Sequence, residues 1–231
     1  MKLVFWTALN SYRSDKWLRG KPAGTPHPVT TPEWTNERIR LWRRYTLPGI
    51  QAQTVQDWLY VVLLDPDLRY LTGPLLPNFV DPRIIYCYED GPVLEQLRQH
   101  GEIVLALIDG DDMYSRTAGE VMLNCPSEWM YFRRGFALEA PTGRAWRYDT
   151  IGTGPFFARR IDPRNMTCFD REKRNPTHKA VIEQKPTELP AGHFCVVLHE
   201  FNTSSRPDMR YVLQHQPIDP RTIKHTFGGL S

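Results

Sequence analysis

The chain has 231 residues, of which 41% are hydrophobic and 12% are aromatic, and its formal net charge is +3. So many aromatic residues with so small a net charge exclude an intrinsically disordered chain, and the length is sufficient for one domain with a sizeable core. The apolar runs are strand-sized, far below the roughly 20 residues that span a bilayer, so we expect no transmembrane segment. The charge is too mild to indicate nucleic-acid binding by itself.

The N-terminus and the cysteines predict a cytoplasmic protein. The apolar start, residues 1–6, reaches polar residues before the roughly 7 to 15 apolar positions of a signal peptide are filled. The cysteines lie far apart, without the close Cys and His spacing of zinc sites, at Cys87, Cys125, Cys168 and Cys195. We therefore expect reduced thiols in the core, and no feature of the sequence requires an obligate protein partner.

A strand and a helix are predicted first along the chain. A strand at residues 2–7 is followed by a loop rich in Gly and Pro at residues 10–31. Thr31 and Pro32 then provide an N-cap and a first-turn proline, which together indicate the start of a helix.

The predicted helix has an apolar face and a basic face. Trp34, Leu41, Trp42 and Tyr45 recur at helical spacing on the apolar face. The remaining surface carries four arginines, namely Arg38, Arg40, Arg43 and Arg44. We interpret the arginines as a solvated face, with contact to an acceptor or a phosphate as the alternative.

Strands and helices alternate through the rest of the first half and become less regular afterwards. Further strands are predicted at residues 58–64, 83–88, 103–108, 131–138, 156–159 and 194–198, and helices at 92–100 and 177–183. The alternation predicts an α/β fold in which a mostly parallel central sheet is flanked by helices, followed by a smaller mixed region. Ligands of such sheets bind beyond the carboxyl ends of the strands.

An acidic cluster, Asp109-Gly110-Asp111-Asp112, follows the most hydrophobic predicted strand. Carboxylates at i and i+2 of a turn can converge, and hard oxygen ligands suit Mg²⁺ or Mn²⁺, which can bridge a diphosphate. A solvated acidic turn is the alternative. A calcium-binding EF-hand loop is excluded because its sixth position needs Gly for a sharp turn, and Tyr114 is there instead. No phosphate-binding loop, zinc-protease motif or nucleophile elbow is present in the sequence.

Four segments, taken together and in this order, resemble a known family. They are residues 43–54 (RRYTLPGIQAQT), 107–112 (LIDGDD), 131–136 (YFRRGF) and 199–204 (HEFNTS). The segments are similar to those of the bacterial rhamnosyltransferases, a branch of the glycosyltransferases with the GT-A fold. The resemblance implies a Rossmann-like GT-A domain over residues 1–231, with a nucleotide-sugar-binding half at 1–125 and an acceptor-binding half at 126–231. It also implies an enzyme that uses Mn²⁺ or Mg²⁺ to move a sugar from a nucleotide-diphosphate donor to an acceptor hydroxyl.

The resemblance also assigns roles to residues of the donor site. Asp109 would lie near the ribose, while Asp111 and Asp112 would bind the metal. Asp65 would match the carboxylate that reads the nucleobase, with a strand-ending turn as the alternative, and Thr7 would border the same base. His199 would complete the metal or diphosphate site, with a packed strand-end histidine as the alternative.

The catalytic base is expected at His178, because related inverting enzymes place an acidic pair at the matching helix start. Imidazole can accept a proton near neutral pH. A surface histidine is the alternative reading of His178. Asp170 is the reserve candidate for the base, followed by Glu172 and Glu139.

Donor, acceptor and reaction class stay open at this point. Leu107 and Ala8 stand where the family would place arginines, so the donor sugar is not assigned to rhamnose. The acceptor would be a glycan or a hydroxymethylated base in phage DNA, the latter suggested by basic residues at Arg159, Arg160, Arg164 and 171–174. The alternatives are a nucleotidyltransferase, which uses similar carboxylates and a metal, and a non-catalytic module that binds nucleic acid or sugar.

Overall fold

The computed structural model describes residues 1–10, 30–76, 81–150, 156–166, 178–199 and 216–228. The strands are β1 (Lys2–Ala8), β2 (Trp58–Leu63), β3 (Ile84–Cys87), β4 (Ile103–Leu107), β5 (Met113–Tyr114), β6 (Trp129–Tyr131), β7 (Arg134–Glu139), β8 (Ala145–Asp149), β9 (Phe157–Ile161), β10 (Thr187–Glu188), β11 (Phe194–Leu198) and β12 (Pro217–Ile218). The α-helices are α1 (Pro32–Leu41), α2 (Leu47–Gln51), α3 (Arg69–Thr72), α4 (Asp90–Arg98), α5 (Ala118–Asn124), α6 (His178–Glu183) and α7 (Pro220–Phe227).

The central sheet has the strand order β10-β6-β9-β4-β1-β2-β3. Its neighbouring strands are parallel except where β9 pairs with β4 and with β6. The prediction of an α/β fold with a mostly parallel central sheet is therefore confirmed. The more specific GT-A assignment and the division into halves at residue 125 stay predictions.

Both faces of the central sheet are covered, which explains why its strands are continuously apolar. Leu3 and Phe5 of β1 face a core that also contains residues of α1, α2 and α5. Val4 and Trp6 face the opposite core, which is closed by residues of α4. In the described part of the chain, no helix has both the length and the apolar character needed to cross a membrane.

The predicted helix start at Thr31 is confirmed. The Thr31 hydroxyl accepts a hydrogen bond of 3.3 Å from the backbone N–H of Trp34, and Pro32 opens α1. After α1 the chain passes through one π-helical segment, Trp42–Thr46, into α2. The segment widens just before Pro48, which has no N–H to donate to the carbonyl of Arg44 and whose ring would crowd that carbonyl. The indole of Trp42 is fixed in the core because its Nε1 donates to the Tyr60 hydroxyl at 2.9 Å.

A second, mixed sheet lies beside the first, with the strand order β12-β8-β7-β11-β5. The prediction of one strand over residues 131–138 was wrong, because β6 belongs to the central sheet and β7 to the second. Between them the Phe132 N–H donates to the Phe156 carbonyl at 2.9 Å, and the Arg133 carbonyl accepts from the Thr150 N–H at 2.8 Å. An apolar pattern alone does not show where a strand changes sheets.

Several elements of the second half were not predicted, including β8, β12 and α7. The sequence did contain a signal for α7, since Asp219 accepts a hydrogen bond of 2.9 Å from the Arg221 N–H and Pro220 opens the helix. The expectation of core thiols is confirmed for Cys87, Cys125 and Cys195, which are free and buried. Cys168 lies outside the described residues.

Candidate metal site

The carboxyl ends of β1, β2 and β4 meet at one edge of the central sheet. In the parallel register Trp6 lies beside Leu107, and Thr7 beside Val62. The Ile108 N–H donates to the Trp6 carbonyl at 3.1 Å, which continues the pairing as far as the acidic cluster. The segments after these strands are therefore neighbours in space. They lie at the edge of the sheet where parallel sheets bind ligands, which we call the ligand edge.

Asp109, Asp111 and Asp112 converge beyond the end of β4. One carboxylate oxygen from each of the three lies within 4.8 Å of the others. Asp111 and Asp112 are buried, whereas Asp109 is exposed to solvent. The turn between them is tight, because the Asp112 N–H donates to the Asp109 carbonyl at 3.1 Å, and a Cβ at Gly110 would lie 3.0 Å from the Leu9 side chain.

Asp111 is held by two nitrogen groups at the same oxygen. Arg38 Nη1 lies 2.6 Å and His199 Nε2 lies 2.8 Å from Asp111 Oδ2, and all three side chains are largely buried. Burial by itself would raise the pKa of Asp111. The charge of Arg38 and the hydrogen bond with His199 outweigh burial and hold the pKa of Asp111 below its usual value.

The other two carboxylates are less well compensated. Burial, and then the charges of Asp111 and Asp109, raise the pKa of Asp112 well above its usual value, although its Oδ1 accepts a hydrogen bond of 2.9 Å from the Val197 N–H. Desolvation, and then the charge of Asp111, raise the pKa of Asp109 to about 6. Solvent reaches the Asp109 side chain and limits its desolvation, which leaves the like charge of Asp111 as a major cause of the raised pKa.

The cluster fits a divalent cation. Its donors are carboxylate oxygens, the ligands that Mg²⁺ and Mn²⁺ prefer, and the exposed side of Asp109 gives access from solvent. The raised pKa values of Asp109 and Asp112 show that Arg38 alone does not offset the negative charge of the cluster. A divalent cation at Asp109, Asp111 and Asp112 would supply the positive charge that is missing.

Arg38 was assigned to the wrong face of its helix. We predicted a solvated arginine together with Arg40, Arg43 and Arg44, but only those three are exposed, and Arg38 is buried. The signal was present in the sequence, because Arg38 follows Trp34 by four residues and precedes Trp42 by four. It therefore lies on the apolar stripe of the helix, where a charge needs a buried partner.

Thr7 and Asp65 lie at the same sheet edge but are themselves enclosed. Thr7 is fully buried, and a Cβ at Gly110 would lie 3.4 Å from its Oγ1. The Asp65 carboxylate accepts from the Asp67 N–H at 3.0 Å and caps the short 3₁₀ turn Pro66–Leu68. The structure thus shows the strand-ending turn that the sequence left open, and contact with a nucleobase stays a prediction for both residues.

Of the residues predicted to act as the third metal ligand or the catalytic base, the structure describes the side chains of His199 and Glu139. His199 directly follows β11 and contacts Asp111. Among the described residues, the side chains whose ligand atoms converge are the three aspartates, and His199 is not one of them. His178 is the first residue of α6, but its side chain is outside the described part of the structure. Asp170 and Glu172 also lie outside the described residues. Glu139 contacts Thr142 and Arg144.

The basic residues proposed for DNA contact have acidic partners where they are described. Arg159 Nη2 lies 2.8 Å from Glu128, Arg160 Nη1 lies 3.5 Å from Glu102, and Arg164 Nη2 lies 2.5 Å from Asp162. Their charges are therefore partly offset, and these arginines give little support to a DNA-binding surface. Residues 171–174 lie outside the described residues.

Comparisons with known proteins do not identify a family or a function for the chain. No family model and no curated protein matches the chain. The structure is similar to the inositol-1-phosphate CTP transferase from T. maritima, with 15% sequence identity and a TM-score of 0.34, over 85% of this chain and 84% of that chain. A similarity with so low a TM-score carries no argument about fold or function.

Proposed function

We propose that the chain is a metal-dependent glycosyltransferase that moves a sugar from a nucleotide-diphosphate donor to an acceptor hydroxyl. The observation that carries this proposal is the convergence of Asp109, Asp111 and Asp112 at the ligand edge of the central sheet. The order of the four segments that resemble rhamnosyltransferases favours sugar transfer over other reactions of nucleotides.

The chain orients two of its three carboxylates through its own contacts. Asp112 is anchored by the Val197 N–H, and Asp111 is anchored by Arg38 and His199. Such supporting contacts fix ligand orientation and are typical of metal sites. When bound, Mn²⁺ or Mg²⁺ would offset the negative charge that develops on the departing nucleoside diphosphate.

Deprotonation of the acceptor hydroxyl is assigned to His178, with Asp170 in reserve. The acceptor is a glycan or, less well supported after the pairing of Arg159, Arg160 and Arg164, a hydroxymethylated DNA base. The nucleotide-sugar is the co-substrate. Replacement of His178 by Ala should therefore lower the rate of transfer without lowering the affinity for Mn²⁺, because His178 is not among the three converging carboxylates.

A ligand screen followed by a product assay tests the function. Nucleoside diphosphates with Mn²⁺ should raise the melting temperature, because a ligand at about 100 times its dissociation constant adds roughly 2.7 kcal/mol of stability. The matching nucleotide-sugars should then release nucleoside diphosphate in the presence of acceptor, and EDTA should stop the release. No shift with any nucleoside diphosphate would contradict the proposal. Consumption of a nucleoside triphosphate with release of pyrophosphate would identify a nucleotidyltransferase instead.

A further inference from the structure

Arg38 is buried beside the acidic cluster without full use of its hydrogen-bonding groups. Its Nη1 lies 2.6 Å from Asp111 Oδ2, and its Nη2 lies 3.5 Å from the position that a Cβ at Gly110 would occupy. Its Nε has no hydrogen-bond partner among the described residues. A buried guanidinium with an unsatisfied donor costs free energy, so a further ligand would stabilise it.

The position of Arg38 has opposite consequences for a cation and for an anion. A divalent cation at Asp111 is attracted by the carboxylates but repelled by the guanidinium that pairs with the same carboxylate. A diphosphate is attracted by the guanidinium, whose planar fork suits phosphate oxygens, and is repelled by the carboxylates. The guanidinium therefore weakens binding of the cation by itself and strengthens binding of the diphosphate.

We propose that Arg38 binds the diphosphate of the donor, and that it makes the cluster bind a divalent cation together with a diphosphate in preference to the cation alone. This inference rests on the proposed function, since it takes the cluster to be the site of a cation and a diphosphate. Arg38 keeps its contact with Asp111 Oδ2 and offers its Nε–H, which has no partner among the described residues, to a phosphate oxygen. Because Arg38 repels the cation and attracts the diphosphate, it lowers the affinity for free cation and raises the affinity for the diphosphate once the cation is bound.

Two binding measurements on the full chain test the role of Arg38. Mn²⁺ binding without any anion is measured by electron paramagnetic resonance, and binding of radiolabelled inorganic pyrophosphate at saturating Mn²⁺ is measured by ultrafiltration. Pyrophosphate is used because it does not depend on the unknown nucleobase or sugar. In Arg38→Gln we expect Mn²⁺ alone to bind roughly tenfold more tightly and pyrophosphate roughly tenfold more weakly, within the usual range of couplings.

A matched control removes a charge elsewhere on the same helical region. Arg44 is exposed and stacks on the ring of Tyr45, so Arg44→Gln removes one positive charge without changing a contact of the cluster. Both affinities should stay within about twofold of wild type, because screening weakens interactions between distant exposed charges. Equal changes in Arg38→Gln and Arg44→Gln would show a general charge effect and overturn the role of Arg38.

A second variant covers the case in which Arg38→Gln does not fold. Arg38→Lys keeps a positive charge beside Asp111 but loses the planar fork, so Mn²⁺ alone should bind within about twofold of wild type while pyrophosphate binds about threefold or more weakly. Unchanged pyrophosphate binding in Arg38→Lys, with Arg38→Gln unfolded, would overturn the inference.

If wild type binds Mn²⁺ but Arg38→Gln weakens the binding of both ligands or of neither, the role of Arg38 is refuted and the proposed function stands. If wild type binds neither ligand, the proposed function fails and this inference fails with it.

Discussion

The Asp112 carboxylate accepts a hydrogen bond of 2.9 Å from the backbone N–H of Val197, and so joins the two sheets at the candidate site. Asp112 follows β4 of the central sheet, whereas Val197 belongs to β11 of the second sheet. Both residues are buried. The geometry of the acidic cluster therefore depends on the packing of both sheets and not only on the turn that carries it.

Two replacements of Asp112 should distinguish the effect of its hydrogen bond on stability from the effect of its charge. Asp112→Asn keeps an oxygen that can accept from the Val197 N–H and removes a charge that is poorly compensated, so stability without metal should be unchanged or higher. Asp112→Ala takes this acceptor away from a buried donor and should lower the free energy of unfolding by about 1–3 kcal/mol. Urea denaturation in EDTA measures the difference, and Mn²⁺ affinity should fall in both variants. Equal stability of the Asn and Ala variants would contradict the structural role of the contact.

Asp111 and Asp109 should respond differently to the same substitution. Asn is close to Asp in size and can accept a hydrogen bond, but Asp111 is paired with a buried arginine. Loss of one partner of a buried ion pair should cost roughly 3–5 kcal/mol, so Asp111→Asn is expected to lose stability as well as Mn²⁺ binding. Asp109→Asn changes an exposed carboxylate repelled by Asp111, and should lose Mn²⁺ affinity while its melting temperature in EDTA stays the same or rises. A stable Asp111→Asn would show that Arg38 does not need this partner.

The acidic cluster could be predicted from the sequence because two local signals coincide. A run of apolar residues predicts a buried strand, and carboxylates directly after it must lie at the ligand edge of a parallel sheet. The role of Arg38 could not be recognised in the same way, because an arginine on an apolar stripe has no local partner. Its partner Asp111 lies in the turn after β4, far away in sequence, and only the tertiary structure brings the two together at 2.6 Å.

The first half of the fold was predicted more accurately than the second for a physical reason. Parallel strands buried on both faces, such as β2 and β4, are short continuous apolar runs that differ clearly from the helices between them. The second sheet includes strands that mix buried and exposed residues irregularly, such as β7 (RGFALE) and β8 (AWRYD), and the chain moves between sheets. Where a chain leaves one sheet for another is decided by tertiary packing, here at Phe132 beside Tyr114.

Gly135 should be sensitive to the addition of a single methyl group. A Cβ at this position would lie 2.5 Å from the Phe194 carbonyl oxygen and 2.8 Å from its ring, so Gly135→Ala must push β7 away from β11. We expect a loss of about 1–3 kcal/mol in the free energy of unfolding, as for other overpacked sites. Mn²⁺ affinity should fall as well, because β11 carries the Val197 N–H that holds Asp112.

The control for Gly135 is a glycine with free space around it. A Cβ at Gly101 would have no atom within 4 Å, so Gly101→Ala should change stability by no more than about 0.5 kcal/mol. Urea denaturation of both variants measures stability, and a Mn²⁺ titration measures the effect on the site. Equal stability of the two variants would show that β7 and β11 adjust without cost.

Lower pH should stabilise the metal-free chain and should weaken the binding of Mn²⁺. The pKa of Asp109 is raised to about 6 by desolvation and then by the charge of Asp111, so the folded chain binds this proton more tightly than the unfolded chain does. Without metal, Asp109 should therefore contribute added stability as the pH falls from about 7 to about 4, between its pKa values in the folded and unfolded chain. A cation needs the ionised carboxylate, so Mn²⁺ affinity should be flat above the pKa of about 6 and fall below it, by up to about tenfold per pH unit for one proton. Melting curves in EDTA and in excess Mn²⁺ across this pH range measure both trends. In Asp109→Asn, both stability in EDTA and stabilisation by Mn²⁺ should depend less on pH than in wild type. Mn²⁺ stabilisation of equal size at both ends of the range would show that Asp109 is not a ligand.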